Sequence, residues 1–208
     1  MRNLNDQKST NELEFWFELG SNYSYLTLHR IEALLGGTQI QLSWRPFLLG
    51  AIFKEQGWAT SPFVLQKAKG DYVKRDMERQ AERYGLPWTW PSKFPRSTLL
   101  PMRVAILGQH TEWIGPFCRA VSRRNFVDDC EVDSTDEIHR ILERLELPAD
   151  EILAEAQSNA IKNRLRVQTA EAKKKGIFGA PTFVVNGELF WGDDRLEDAV
   201  EWCLDSSV

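Results

Sequence analysis

From Leu13 to Leu19 the chain reads LEFWFEL, a strand-length run mixing aliphatic and aromatic residues with acidic ones, and Gly20-Ser21-Asn22 then supplies turn and helix-start chemistry. Apolar residues recur near helical spacing from Tyr23 to Leu35 (Tyr25, Leu26, Leu28, Ile31, Leu34, Leu35), and Gly36-Gly37 ends that segment. Gln39 to Phe47, rich in β-branched and aromatic residues, predicts a second strand. Strand, helix and strand with so short a connection predict a parallel βαβ unit with a right-handed crossover.

The pattern then changes. From Ser61 to Lys175 it is helical, and no run reads as a strand. Tyr72, Met77 and Ala81 mark one helix, Leu99 to Leu107 a second, and Trp113, Phe117, Ala120 and Val121 a third, with Pro- and Trp-rich loops between them. Ser134-x-x-Glu137 has the capping-box form ahead of Ile138, Ile141, Leu142 and Leu145; Pro148 opens a helix containing Ile152 and Leu153. Ser158 to Lys175 is helical with a heavily charged, solvated side. Strand signals return at Thr182–Asn186 and Glu188–Trp191, joined by the hairpin dipeptide Asn186-Gly187. Gly192-Asp193-Asp194 opens a last helix with Leu196, Ala199, Val200, Trp202 and Cys203 on its apolar face. The fold class is therefore α/β: a βαβ unit and a ββα tail, residues 13–60 and 176–208, share one sheet. Residues 61–175 form a large all-helical insertion, and residues 1–12 a flexible extension.

Composition narrows the function more than the fold. With 26 Lys and Arg against 30 Asp and Glu, the net charge of -4 gives no electrostatic reason for a nucleic-acid or anionic-membrane partner, and a small soluble ligand is expected. No apolar run reaches the roughly 20 residues of a spanning helix, and the first dozen residues lack the apolar core of a secretory signal, so a cytoplasmic protein is expected. Cys118, Cys130 and Cys203 are odd in number and widely spaced, which argues against a disulfide framework, a zinc site and a dithiol centre alike. His29, His110 and His139 have no metal or general-base spacing. No metal is expected.

Three places distant in sequence meet in the predicted topology: the turn at Ser21, the Ala180-Pro181 junction and the turn at Gly192 to Arg195. Ser21 at a helix start faces ligands with unpaired N–H groups and partial positive charge, conditions that lower a thiol's pKa, and its hydroxyl adds a donor; it is equally an ordinary N-cap serine. Pro181 reads on its own as an ordinary trans proline limiting strand entry. Asp193 and Asp194 read as helix-start caps or as partners for a ligand ammonium, with the neighbouring N–H groups free for a carboxylate.

Gly20-Ser21-x-Tyr23-Ser24-Tyr25, Trp44-Arg45-Pro46-Phe47-Leu48-Leu49-Gly50, Gly176 to Phe183 (GIFGAPTF) and Phe190-Trp191-Gly192-x-Asp194-Arg195-Leu196 resemble the 2-hydroxychromene-2-carboxylate isomerase family, similar in turn to kappa-class glutathione transferases. The match runs from Leu13 to Trp202. It implies a thioredoxin-like fold of DsbA type carrying a helical insertion, glutathione as cofactor, and an enzyme of aromatic-compound catabolism that forms a homodimer. On that resemblance Ser21 is catalytic, holding the glutathione sulfur as thiolate, and Ser21, Ala180, cis-Pro181, Trp191, Gly192, Asp193 and Asp194 bind the peptide. The implied reaction is reversible addition of the thiolate to an unsaturated carboxylate. Many relatives have Ser-Pro after the first strand and Asn after Lys-x-x-Gly, where this chain has Ser21-Asn22 and Gly57-Trp58-Ala59, so that Asn contact does not transfer. Trp58 and Phe94 are candidate walls of the substrate pocket or insertion core, and Arg45 a substrate contact or a structural ion pair. Alternatives are a kappa-like transferase or peroxidase and a non-catalytic glutathione-binding module. A dithiol oxidoreductase has Ser21 and Ser24 against it, at both ends of the place where Cys-x-x-Cys would lie.

Overall fold

A computed structural model describes residues 11–205. The expected extension lies almost wholly outside the described residues, and the first strand, β1 (Glu12–Phe17), starts within its last residue. β1 runs parallel to β2 (Gln41–Pro46), with Phe15 opposite Trp44. β3 (Thr182–Val185) is antiparallel to β1, Thr182 facing Trp16, and β4 (Glu188–Trp191) is antiparallel to β3, Trp191 facing Thr182. The order β2-β1-β3-β4 puts β1 inside the sheet, and its C-terminal half, Phe15 to Phe17, is an apolar run buried on both faces, while Glu12 and Glu14 stay partly exposed. Phe15 stacks between Phe17 and Phe183, centroids 5.0 and 5.6 Å away, and meets Trp44 edge-on at 5.5 Å. Each such pair adds about 0.5–1.5 kcal/mol to the burial of its rings.

The single helix expected from Tyr23 to Leu35 is two, α1 (Asn22–Leu28) and α2 (Ile31–Leu35). His29 and Arg30 N–H groups close tight turns on Leu26 and Thr27, and Arg30 swings its guanidinium towards Asp193 and Glu197. After β2 comes a helix the sequence pattern did not predict, α3 (Leu49–Glu55). The helical segment then holds α4 (Pro62–Leu65), α5 (Lys67–Tyr84), α6 (Leu99–Gly108), α7 (Ile114–Phe126), α8 (Thr135–Arg144), α9 (Ala149–Ala156) and α10 (Asn159–Lys174). Past β4, a 3-10 turn (Asp193–Arg195) leads into α11 (Leu196–Asp205).

Some local readings change. α5 buries Val73, Met77 and Ala81 and leaves Tyr72 outside. Ser134 caps α8 without a side-chain bond, and the Glu137 carboxylate that would complete the box is drawn into ion pairs with Arg124 and Arg140. On α11 the buried residues are Leu196, Ala199, Val200 and Cys203, while Trp202 is half-exposed beside Phe190. Arg45 lies near Glu12 and Glu14, at 4.0 and 3.7 Å, a structural ion pair at the sheet surface.

One apolar cluster runs from Leu13, Phe15 and Phe17 of β1 through α6 to α9 and into α11, so the helical segment shares its core with the sheet. On the opposite face Trp16 and Val184 pack with Ile52 of α3, Ala172 of α10 and Ile177. Gln168 Nε2 donates to the Pro46 carbonyl at 2.6 Å and Leu48 N–H to Thr169 Oγ1 at 3.1 Å, fixing α10 against the end of β2. A third cluster joins Tyr25 and Leu26 of α1 to Val73, Met77 and Ala81 of α5 and Phe126 of α7. α1 is therefore clamped between sheet and helical segment.

Candidate active site

Strand directions decide where chemistry can gather. β1 and β2 end, β3 begins and β4 ends at the same edge of the sheet. The Ser21 turn, the Ala180–Pro181 junction, the Gly192 turn and the approach to α3 therefore border one cavity of about 1420 Å³, roofed by α4, α5 and the loop from Phe94 to Leu99. The described residues include no cluster of His, Cys, Asp or Glu able to hold a metal, and no helix long and apolar enough to cross a membrane.

Ser21 is buried and caps α1: its backbone is extended, with φ -82° and ψ 120°, and its Oγ accepts from Ser24 N–H at 3.2 Å. The same hydroxyl donates to the Ala180 carbonyl at 2.8 Å, linking two turns 159 residues apart in sequence. Ala180–Pro181 is cis, as is Phe94–Pro95. The cap reading of Ser21 is the one seen, and its hydroxyl proton is spent on Ala180. Next to it, Asn22 Nδ2 and Ser24 Oγ are buried polar atoms with no hydrogen-bond partner among the described residues.

The two aspartates separate sharply. Gly192 holds φ 117° and ψ 153°, a conformation effectively reserved for glycine, and turns the chain out of β4. Asp193 then points inward at 4% exposure, accepting from Thr27 Oγ1 and Arg30 Nη1, each at 2.8 Å. Burial pushes its carboxyl above the ordinary aspartate value against the pull of Arg30. Asp194 is 72% exposed and, among the described residues, its ion pair is a 3.1 Å surface contact with Arg195. Trp191 stands at the rim against Phe178, centroids 4.9 Å apart, both about half-exposed. Trp58, packed on Phe53, and Phe94, packed on Trp90, also line the cavity.

Glu18 is a site residue the sequence reading passed over. It follows β1, lines the cavity, accepts from Gly20 N–H at 3.0 Å and receives a hydrogen bond from the Thr98 hydroxyl. Its backbone carbonyl takes the Ser21 N–H at 3.0 Å. Burial raises its carboxyl from an ordinary 4.5 to about 7, Thr98 and Gly20 opposing only part of that. The available signal was an acidic residue in an apolar run directly before the turn, where a strand end has no need of charge. A carboxyl with a raised folded pKa binds its proton more tightly in the native state, so its contribution to stability is complete below about pH 4.5 and is lost as pH rises through about 7. Denaturant unfolding of the native protein and of Glu18→Gln is expected to show the wild type losing ground to the variant across that window, and parallel stability curves would contradict the assignment.

Residues 12–201 match the DSBA-like thioredoxin domain family. The 2-hydroxychromene-2-carboxylate isomerase of Sphingobium xenophagum is 27% identical over 198 residues, 94% of this chain and all of that one. Glutathione S-transferase kappa 1 of Rattus norvegicus is 26% identical over 199 residues, 89% of this chain and 87% of that one. Among solved structures, a 2-hydroxychromene-2-carboxylate isomerase superimposes with TM-score 0.81 at 23% identity, covering 93% of this chain and 94% of its own. Both kinds of relative are enzymes.

Proposed function

The chain belongs to the DSBA-like thioredoxin domain family, and on that premise we propose that it is a glutathione-dependent isomerase of the 2-hydroxychromene-2-carboxylate isomerase type. The observation that carries this reading is the convergence of Ser21, Ala180–cis-Pro181 and the Gly192–Asp194 turn on one cavity, without a cysteine at Ser21 or Ser24. A dithiol exchange has no sulfur here. A borrowed thiol does have a place.

The residues present fit glutathione. Ala180 offers backbone to a peptide laid along it, the mode by which extended peptides add to a sheet. Its carbonyl now takes the Ser21 proton; a peptide N–H arriving there supplies another donor and leaves the hydroxyl free to turn to the sulfur. Asp194 takes the γ-glutamyl ammonium in a charge-assisted hydrogen bond, and the N–H groups beyond Gly192 take the adjoining carboxylate. Asp193, engaged by Thr27 and Arg30, holds that turn in shape. When bound, glutathione supplies a sulfur nucleophile for reversible addition to an unsaturated carboxylate, dividing a hard rearrangement into easier steps. Ser21 keeps the sulfur ionised, and Trp58 and Phe94 wall the space for an aromatic-derived substrate. The cavity exceeds the roughly 300–1,000 Å³ of most single-ligand pockets, which favours a site for two reactants.

Kappa-like transfer of the sulfur to another electrophile uses the same residues, and the kappa relative keeps that as the second reading. Titration with glutathione, followed by the ultraviolet absorbance of the thiolate, tests the shared premise. A thiolate appearing well below the free-thiol pKa of about 8.5 is expected, and binding without one would leave a peptide-binding module. Turnover of a 2-hydroxychromene-2-carboxylate, with glutathione recovered unconsumed, separates isomerase from transferase.

A further inference from the structure

We propose that Glu18 is the proton acceptor for the thiol bound at Ser21, so that the cavity floor takes up the sulfur's proton instead of releasing it to solvent. The inference rests on the glutathione-binding reading above and adds a residue and a proton path to it. In the step, the S–H bond breaks and its electron pair stays on sulfur. The proton forms an O–H bond on the Glu18 carboxylate, and the negative charge passes from carboxylate to sulfur. Nothing else is consumed.

Geometry carries the argument. Glu18 and Ser21 are the two ends of one turn, closed by the Ser21 N–H on the Glu18 carbonyl, and both residues border the cavity. The Glu18 carboxylate folds back over that turn onto Gly20 N–H, one residue from Ser21, while Thr98 holds its other oxygen. Side chains on the surrounding elements are committed elsewhere. The Arg96 guanidinium faces Asn125 and Asp129, Ser97 bonds Asp133, and Tyr23 bonds Asp76 on α5. Lys54 of α3 and Lys69 of α5 border the same cavity, and Glu18 forms no salt bridge with either among the described residues; the Asp193–Asp194 turn, also at the border, brings only like charge. An unpaired carboxylate and a thiolate in one largely apolar cavity repel each other, and a single proton on the carboxyl removes the conflict. A carboxyl poised near 7 is suited to accepting a thiol proton at neutral pH and returning it.

The test counts protons. At about pH 8, above the Glu18 midpoint of about 7 and below the free-thiol value of about 8.5, glutathione is added to weakly buffered protein with a pH indicator while thiolate absorbance is recorded. Wild type is expected to form thiolate with little proton release. Glu18→Gln, whose amide oxygen can still accept from Gly20 N–H and whose NH₂ can face the Thr98 oxygen, is expected to release most of one proton per thiolate formed. Thr98→Val keeps the carboxylate and loses only the hydroxyl that steadies it, so it is expected to behave as wild type in proton count. A role confined to packing would not separate the two variants. Equal release from wild type and Glu18→Gln overturns the proposal while leaving the binding reading intact. No thiolate in wild type overturns the binding reading and this inference with it.

Discussion

Replacing Ser21 by alanine is expected to leave the fold in place, raise the pKa of bound glutathione and slow turnover by about 10- to 1,000-fold, the range for removing one donor from a developing anion. Two losses contribute. The Ser21 oxygen accepts from Ser24 N–H, and removing such a cap costs about 1 kcal/mol of stability, too little to unfold a domain with this core. The larger effect falls on the hydroxyl proton, which bonds Ala180 in the free protein and has the sulfur as its alternative partner once a peptide pairs with Ala180. Alanine provides neither. A pH titration of thiolate absorbance in the Ser21→Ala complex measures the first effect, and steady-state turnover at pH 7 the second. Unchanged values in both would take Ser21 out of the mechanism and leave it a helix cap.

What the sequence made legible follows from how local each signal is. The strand β1, the Asn186-Gly187 hairpin and α11 are written in short-range chemistry, and Asn186 and Gly187 take the positive φ values, 50° and 86°, that such a turn requires. The break between α1 and α2 has no short-range mark in the sequence, and the residue that sits at it, Arg30, makes its pair with Asp193, 163 residues away. The capping box at Ser134 is likewise not formed, and the Glu137 carboxylate pairs with Arg124 and Arg140 instead. Of the candidate site residues, Ser21, Ala180, Pro181 and Asp194 were nameable because their motifs carry a family resemblance, and Ser21, Ala180 and Asp194 border the cavity. Glu18 was not, since its meaning lies in Thr98, 80 residues on, and in the apolar walls around both. Burial and partnership are tertiary facts, and a lone acidic letter encodes neither.

The adjacent aspartates offer the sharpest separation between holding a turn and holding a ligand. Asp193 is buried with Thr27 and Arg30 on its two oxygens, so Asp193→Ala leaves the Thr27 hydroxyl with only the Tyr23 carbonyl, at a long 3.4 Å, and the Arg30 guanidinium with Glu197 and the Tyr84 ring. Truncating one side of a buried pair costs about 3–5 kcal/mol when nothing compensates; Arg30 is partly solvated and keeps Glu197, so about 2–3 kcal/mol is expected. In a chain of this size that lowers the melting temperature by roughly 5–10 °C. Asp193→Asn, which preserves the shape and one acceptor, should lose less. Asp194→Ala removes an exposed group whose pair with Arg195 contributes little, so thermal unfolding is expected to move by no more than a degree or two. Its effect appears in affinity instead: losing a charge-assisted bond to the ligand ammonium, worth about 1.5–3 kcal/mol, weakens glutathione binding by roughly 10- to 100-fold. Calorimetric binding beside thermal unfolding gives both readouts on both variants. If Asp193→Ala keeps its melting temperature and loses affinity while Asp194→Ala binds normally, the two roles are reversed, and the ammonium is met by the carboxylate that Arg30 now occupies.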